Sequence, residues 1–400
     1  MKRNCIIGQS GGPTIAINAS LAGIIHRAKS SEEFDNVYGM INGIKGLLDD
    51  GDKINALKQT PAMYLGSCRY KLPTFQDDED TYVKLFKILK ELEITDFFYI
   101  GGNDSMDTVM KLDDYAKYIN SDIHFIGIPK TIDNDLMGTD HTPGFGSAAK
   151  YVAASILEVV HDSLIYQLQS VTIIEIMGRN AGWLTAAAAL ARNEYNVAPD
   201  LIYLPEVVFN KDKFLADIHE VMKRKRCVVI AVSEGIRDEN GHFLDDDSKY
   251  AKKDAFGHVL HSGTGKLLES LVFKEFGCKV RSIELNVLQR CAMHIGSKTD
   301  LNESFVIGSK AIDKALENIS GHVMGFKRLS NHPYEIDYIS TDVREVANYE
   351  QKIPVEWINK EGNDITQELY DYLYPLIQGE VHVTYKDGIP SYYSCKHLEK

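Results

Sequence analysis

Six cysteines are spread through 400 residues, at Cys5, Cys68, Cys227, Cys278, Cys291 and Cys395, and none stands in a CxxC pair or at metal-ligand spacing. That arrangement speaks against a disulfide scaffold or a zinc module and fits reduced thiols. No apolar run approaches the ~20 residues that cross a bilayer. No charged-then-apolar leader with a cleavage site opens the sequence, so a cytoplasmic location is expected and no membrane partner. Positive charge is also short: 44 Lys and Arg face 57 Asp and Glu, for a formal net charge of -13. Such a chain has no basic excess with which to displace counterions from a nucleic-acid backbone, and a nucleic-acid partner is not expected. Its one basic run, Lys223 to Arg226, reads as a solvated helix end before an apolar strand. Low-complexity tracts and short repeats are absent.

What the sequence does contain is α/β alternation. Short apolar runs at Asn4 to Ile7, Asp96 to Ile100, Ile123 to Ile128, Val171 to Met177, Cys227 to Val232 and Arg281 to Leu285 each end in a Gly-rich or charged loop. Helical periodicity frames several of them, as in Thr14 to Lys29 and Tyr82 to Leu92. Ligands of open parallel sheets collect outside the carboxyl ends of the strands, so the loops carry the functional reading.

Gly127 to Asp135, Gly-Ile-Pro-Lys-Thr-Ile-Asp-Asn-Asp, is the most informative of these loops. Pro129 has no N–H for a strand ladder and is expected to end the strand, which places Lys130, Thr131, Asp133 and Asp135 on the exit loop. Two carboxylates beside one ammonium suit phosphoryl transfer. Gly11-Gly12 opens a helix whose first N–H groups form a natural anion site. Gly101-Gly102-Asn103-Asp104-Ser105 repeats the pattern with oxygen ligands for a hard cation such as Mg²⁺ at Asn103 and Asp104. The guanidinium groups of Arg179 and Arg290 match phosphate oxygens, and Glu234 can accept hydrogen bonds from sugar hydroxyls.

In order and approximate spacing, Gly11-Gly12, Gly101 to Ser105, Pro129 to Asp135, Met177-Gly178-Arg179 and Leu288-Gln289-Arg290 resemble the phosphofructokinases over roughly Cys5 to Asp300, specifically their pyrophosphate-dependent branch. The resemblance implies a fold of two Rossmann-like three-layer α/β lobes with parallel sheets plus a C-terminal extension. The expected division is a donor and Mg-binding lobe from 1–145 with about 288–325, a sugar-phosphate lobe from 146–287, and an extension from 326–400 that packs or forms an interface. It implies phosphorylation of fructose 6-phosphate at its 1-hydroxyl, giving fructose 1,6-bisphosphate and phosphate, with Mg²⁺ as cofactor and a homodimer or homotetramer as the assembly.

The resemblance also carries roles. Asp133 is the general base, Thr131 and Lys130 flank the reacting groups, and Arg179 steadies the transferring phosphoryl. Gly11, Gly12, Arg69, Asp104, Lys130 and Ser105 are expected on the donor, and Asn103 and Asp135 at the metal. Met177, Gly178, Glu234, Arg281, Gln289 and Arg290 join Thr131, Asp133 and Arg179 on the sugar phosphate. ATP-dependent members carry glycine where Asp104 and Lys130 stand, so these two residues point to pyrophosphate. The alternatives are an ATP-dependent phosphofructokinase, a non-catalytic sugar-phosphate-binding subunit, and an acceptor range widened to sedoheptulose 7-phosphate. Three positions depart from the family pattern: Asn103 replaces an aspartate, Cys291-Ala292 a Gly-Gly pair, and Ser170 an arginine given to a neighbouring subunit. In the tail, a helix over Asp364 to Ile377 and a hairpin around Lys386-Asp387-Gly388 are expected.

Overall fold

The buried runs Arg3–Gln9 (β1), Asp96–Gly101 (β3) and His124–Pro129 (β4) are apolar on both faces, the signature of parallel strands covered by helices on each side. In the computed structural model, which describes residues 2–40, 58–67, 71–165, 167–244 and 263–394, with 252–253 and 259–260 by backbone alone, they lie at the centre of a six-stranded sheet. Phe34–Gly39 (β2) forms one edge, and the hairpin His322–Asn331 (β9) and Tyr334–Asp342 (β10) completes the other, in the order β10-β9-β4-β3-β1-β2. Only the β9/β10 pair is antiparallel. Pro129 is accepted as the last residue of β4, opposite Gly101, one position later than expected.

Helices cover both faces. Ile17–Lys29 (α1) and Lys298–Leu316 (α8) pack together against Ile7, Phe98 and Ile126. Their contact is close because a Cβ on Gly23 would lie 1.9 Å from the Phe305 carbonyl oxygen, and one on Gly308 would lie 2.1 Å from that of Ser20. Glu79–Glu91 (α2) and Asn103–Tyr118 (α3) cover the opposite face with Tyr82, Phe86, Val109 and Leu112.

The second lobe is a four-stranded parallel sheet. Ser170–Ile176 (β5), Leu201–Tyr203 (β6), Cys227–Ser233 (β7) and Lys279–Glu284 (β8) run in the order β8-β5-β7-β6. Phe145–Leu164 (α4) lies on one face, and Lys211–Met222 (α6) with Thr264–Phe276 (α7) on the other; a one-turn helix, Trp183–Ala186 (α5), follows β5. Asp300 on α8 caps the start of α4, accepting from the N–H of Gly144 at 2.8 Å and of Ser147 at 3.0 Å.

The tail belongs to both lobes. The boundary expected at residue 326 falls inside β9, whose first residues His322 and Val323 pair with β4 and whose Val323, Met324 and Phe326 fill the first core. Further on, Ile353, Ile358 and Gln367–Leu373 (α9) enter the core of the second lobe, where Leu369 and Leu373 are fully buried. Where tail and lobes meet, the buried His141 sits between Asp140 and Glu303, at 2.8 Å from each. Burial opposes its charge, but Glu303 and Asp140 outweigh that and lift its pKa to about 9. Arg328 pairs with Asp140 at 2.9 Å, and the Tyr334 hydroxyl donates to Glu303 at 2.8 Å.

Candidate active site

The exit loops of β1, β3 and β4 face those of β5 and β7 across a cleft of about 950 Å³. The β3 and β4 ends are locked in step by the Lys130 N–H donating to the Gly101 carbonyl at 2.9 Å. Lys130 then turns inward, is buried, and donates from Nζ to the Gly12 carbonyl at 2.6 Å. Both glycines of that loop leave room for the approach. A Cβ on Gly11, whose φ is +80°, would lie 3.2 Å from Lys130 Nζ, and one on Gly12 would lie 3.2 Å from Arg290 Nη1. Beside them, α3 begins after an extended Gly102 with no side chain capping its first turn, which leaves backbone donors free for an anion.

Asn134 aims the two carboxylates. It adopts φ +56°, a left-handed conformation that asparagine tolerates better than most residues, and its amide is fixed by the Thr142 N–H at 2.9 Å and the Tyr372 hydroxyl at 2.8 Å. Asp133 and Asp135 on either side therefore both line the cleft. Thr131 Oγ1 accepts from the Asp133 N–H at 3.1 Å. Removal from water raises the Asp133 pKa, against the pull of Lys130, Thr131, Arg179 and Arg290. Burial, Asp133 and Glu350 together push Asp135 up to about 7. Burial brings Lys130 down to about 8 despite Asp133.

The second lobe supplies the facing wall. Glu234 accepts from the Gly178 N–H at 3.2 Å, and burial lifts its carboxyl to about 8. Arg179 lines the cleft with its buried Nε unpartnered. Arg237 also lines it, its guanidinium held by Asn180 Oδ1 at 2.8 Å and by the Phe243 ring at 4.1 Å. Arg179, Arg237 and Arg290 have no carboxylate partner among the described residues. In a chain of net charge -13, three unpaired guanidiniums and a buried ammonium around one cavity call for a multiply charged anion.

Most of the residues expected from sequence meet here: Gly11, Gly12, Asp104, Ser105, Lys130, Thr131, Asp133, Asp135, Met177, Arg179, Glu234 and Arg290 all line the cleft, and Gly178 orients Glu234. Two do not. Arg281, expected on the sugar phosphate, lies on the exposed edge strand β8, paired with Asp162 at 3.0 Å. Strand alternation turned it outward, a property that a loop-by-loop reading does not register. Gln289 is fully buried behind Arg290 and does not line the cleft. Arg69, like Cys68 and Cys395, lies outside the described residues.

Asn103 is present but otherwise engaged. Its Oδ1 accepts from the Asn348 N–H at 2.6 Å and its Nδ2 donates to the Tyr349 carbonyl at 3.0 Å. Residues that sequence reasoning missed are Asn180, Arg237 and Phe243 on the second lobe and Asn348, Tyr349 and Glu350 from the tail. Asn180 and Arg237 each sit within three residues of a recognised strand-end residue, Arg179 and Glu234, and that proximity was the available signal.

Paired carboxylates facing unpaired cations, between two parallel α/β sheets, make up a small-molecule phosphotransferase. The phosphofructokinase family profile matches residues 4–312. A pyrophosphate–fructose 6-phosphate 1-phosphotransferase from Xanthomonas campestris pv. campestris is 39% identical over 407 residues, spanning 99% of this chain and 96% of its own. One of the same name from Methylococcus capsulatus is 36% identical, with 98% and 95% covered. The crystal structure of a pyrophosphate-dependent phosphofructokinase from Nitrosospira multiformis superposes with a TM-score of 0.88 at 34% identity, covering 98% of this chain and 96% of that one. The chain belongs to the phosphofructokinase family.

Proposed function

We propose that this protein transfers a phosphoryl group from inorganic pyrophosphate to the 1-hydroxyl of fructose 6-phosphate, giving fructose 1,6-bisphosphate and phosphate, reversibly. The observation that carries the reading is the buried Lys130 ammonium, held 2.6 Å from the Gly12 carbonyl in the same cleft as Asp104. A cation so placed neutralises a compact inorganic donor, while the Asp104 carboxylate in the first turn of α3 opposes the negative charge of a nucleotide's next phosphate.

Asp133 takes the proton of the sugar hydroxyl as its oxygen bonds to phosphorus. A raised pKa brings this carboxylate closer to the operating pH, where a general base is most effective. Transfer otherwise needs alignment and charge neutralisation, which Lys130, Arg179 and the free N–H groups at the start of α3 provide. Glu234 accepts from the sugar hydroxyls, and Arg237 and Arg290 face the sugar phosphate.

Mg²⁺ fits this site through Asp135, whose carboxyl is held high by burial and by its acidic neighbours, a strain that a divalent cation relieves. When bound it would neutralise charge on the donor oxygens. Among the described residues no three His, Cys, Asp or Glu side chains converge to hold a metal alone, so donor oxygens and water complete the shell, as Mg²⁺ prefers. Asn103, with its amide committed to the tail, would meet the ion only through water. A cytoplasmic location and assembly as a homodimer or homotetramer belong to the same proposal.

The test is a steady-state assay of the purified protein with fructose 6-phosphate, Mg²⁺ and either pyrophosphate or ATP. Turnover with pyrophosphate alone is expected; comparable rates with ATP would end the donor assignment.

A further inference from the structure

Beyond residue 312, where the family match ends, the chain returns to the cleft as a short strap, Asn348 to Gln351. It is fastened to the first two turns of α3 by the Asn103 amide at 2.6 and 3.0 Å and by Asn348 Nδ2 donating to Asp107 at 3.1 Å. Its other end is tied beneath the catalytic loop, where the Gln351 N–H donates to the Asp135 carbonyl at 2.7 Å. It also reaches the second lobe, with Asn180 Nδ2 donating to Glu350 at 3.0 Å. Asn348 holds φ +69°, so the strap is bent at the point where it meets the helix.

We propose that this strap sets the length of the phosphoryl donor, admitting a diphosphate and excluding a triphosphate. The inference rests on pyrophosphate being the donor. The reacting phosphoryl must lie by Asp133 and Lys130, and the leaving phosphate between the Gly11-Gly12 loop and the start of α3. Asp104 and Thr108 of α3 line the cleft, and so do Asn348 and Tyr349, which are hydrogen-bonded to Asn103 and Asp107 of the same helix. A third phosphate extends along the same turn and meets the strap. This barrier is steric and separate from the charges of Asp104 and Lys130, so a donor without a nucleoside still encounters it. These hydrogen bonds, with the Trp183 indole N–H donating to the Gln351 carbonyl at 3.0 Å, hold the strap in place, so displacing it for a longer donor breaks several at once.

The probes are pyrophosphate and inorganic tripolyphosphate, with fructose 6-phosphate as acceptor and the full chain as enzyme. In the wild type, kcat/KM for tripolyphosphate is expected at least about 100-fold below that for pyrophosphate. Tyr349→Ala together with Asn348→Gly should raise the tripolyphosphate-to-pyrophosphate ratio of kcat/KM at least about tenfold. Tyr349 is 58% exposed, so its truncation removes no core, and Tyr349→Trp, which adds bulk instead, should lower the ratio further. A wild type that uses both donors within about tenfold of each other, or a ratio that none of these changes moves, overturns the inference. Wild-type protein inert toward pyrophosphate would instead sink the donor assignment and this inference with it.

Discussion

Lys130→Met keeps the length of the side chain and removes its charge. In the free protein burial has already moved this ammonium from 10.5 to about 8, a shift worth roughly 3 kcal/mol against the charged form. The fold accepts that cost with no anion in place. When pyrophosphate arrives, a unit charge at 4 Å contributes about 4 kcal/mol at an effective dielectric of 20. Losing 3 to 4 kcal/mol corresponds to roughly 100- to 1000-fold in kcat/KM for pyrophosphate. The assay couples fructose 1,6-bisphosphate to NADH oxidation at pH 7, where the lysine is charged, with each substrate varied in turn. KM for fructose 6-phosphate should stay within about threefold, since the ammonium lies against the Gly12 loop. A fall in kcat/KM for pyrophosphate of less than about fivefold, about 1 kcal/mol, would refute the electrostatic argument.

Asp133→Asn should cut kcat by about 100- to 10,000-fold with small changes in either KM; a loss under tenfold in single-turnover experiments would remove it as the base. The pH profile of kcat/KM for pyrophosphate should fall on the alkaline side near 8 as Lys130 loses its proton, and Lys130→Arg should carry that limb beyond the measurable range because guanidinium does not titrate there. His141 is raised from 6.5 to about 9 in the folded chain, so its contribution to stability is complete below pH 6.5 and is lost as the pH rises through 9; urea melts across that window should show the decline, and His141→Gln should flatten it. Leu373→Ala, at a fully buried position of the tail helix, should cost about 2 to 5 kcal/mol in the same melts, and a loss under 1 kcal/mol would mean that α9 is peripheral to the core.

How much of this could be read in advance depended on the distance in sequence over which each feature is built. The loop from Lys130 to Asp135 was legible because a buried strand, a proline and two carboxylates are consecutive, and the local chain alone dictates where they go. The tail hairpin, Tyr385–Lys386 against Ile389–Pro390, was legible for the same reason, as was most of the helix now bounded at Gln367–Leu373. Strand β2 and the β9/β10 hairpin were missed, since Phe34–Gly39 is half polar and Tyr334–Asp342 has one wet face. Arg281 stands outside the cleft of its own chain, on an edge strand whose pleat decides its direction. Asn103 and the strap could not be foreseen from spacing, because a backbone N–H 245 positions away decides what the amide does.

That separation also has a temporal side. Chains leave the ribosome at roughly 5–20 residues per second, so Asn103 precedes Asn348, its partner 245 residues on, by about 12 to 50 seconds. For most of that interval the nascent protein already carries Lys130 and Asp133, yet it lacks the edge hairpin of its first sheet and the peptide that walls the cleft. Catalytic competence therefore arrives late in synthesis, and a message broken between the codons for Arg290 and Asn348 yields a product with every reactive side chain and an unfinished chamber to hold them.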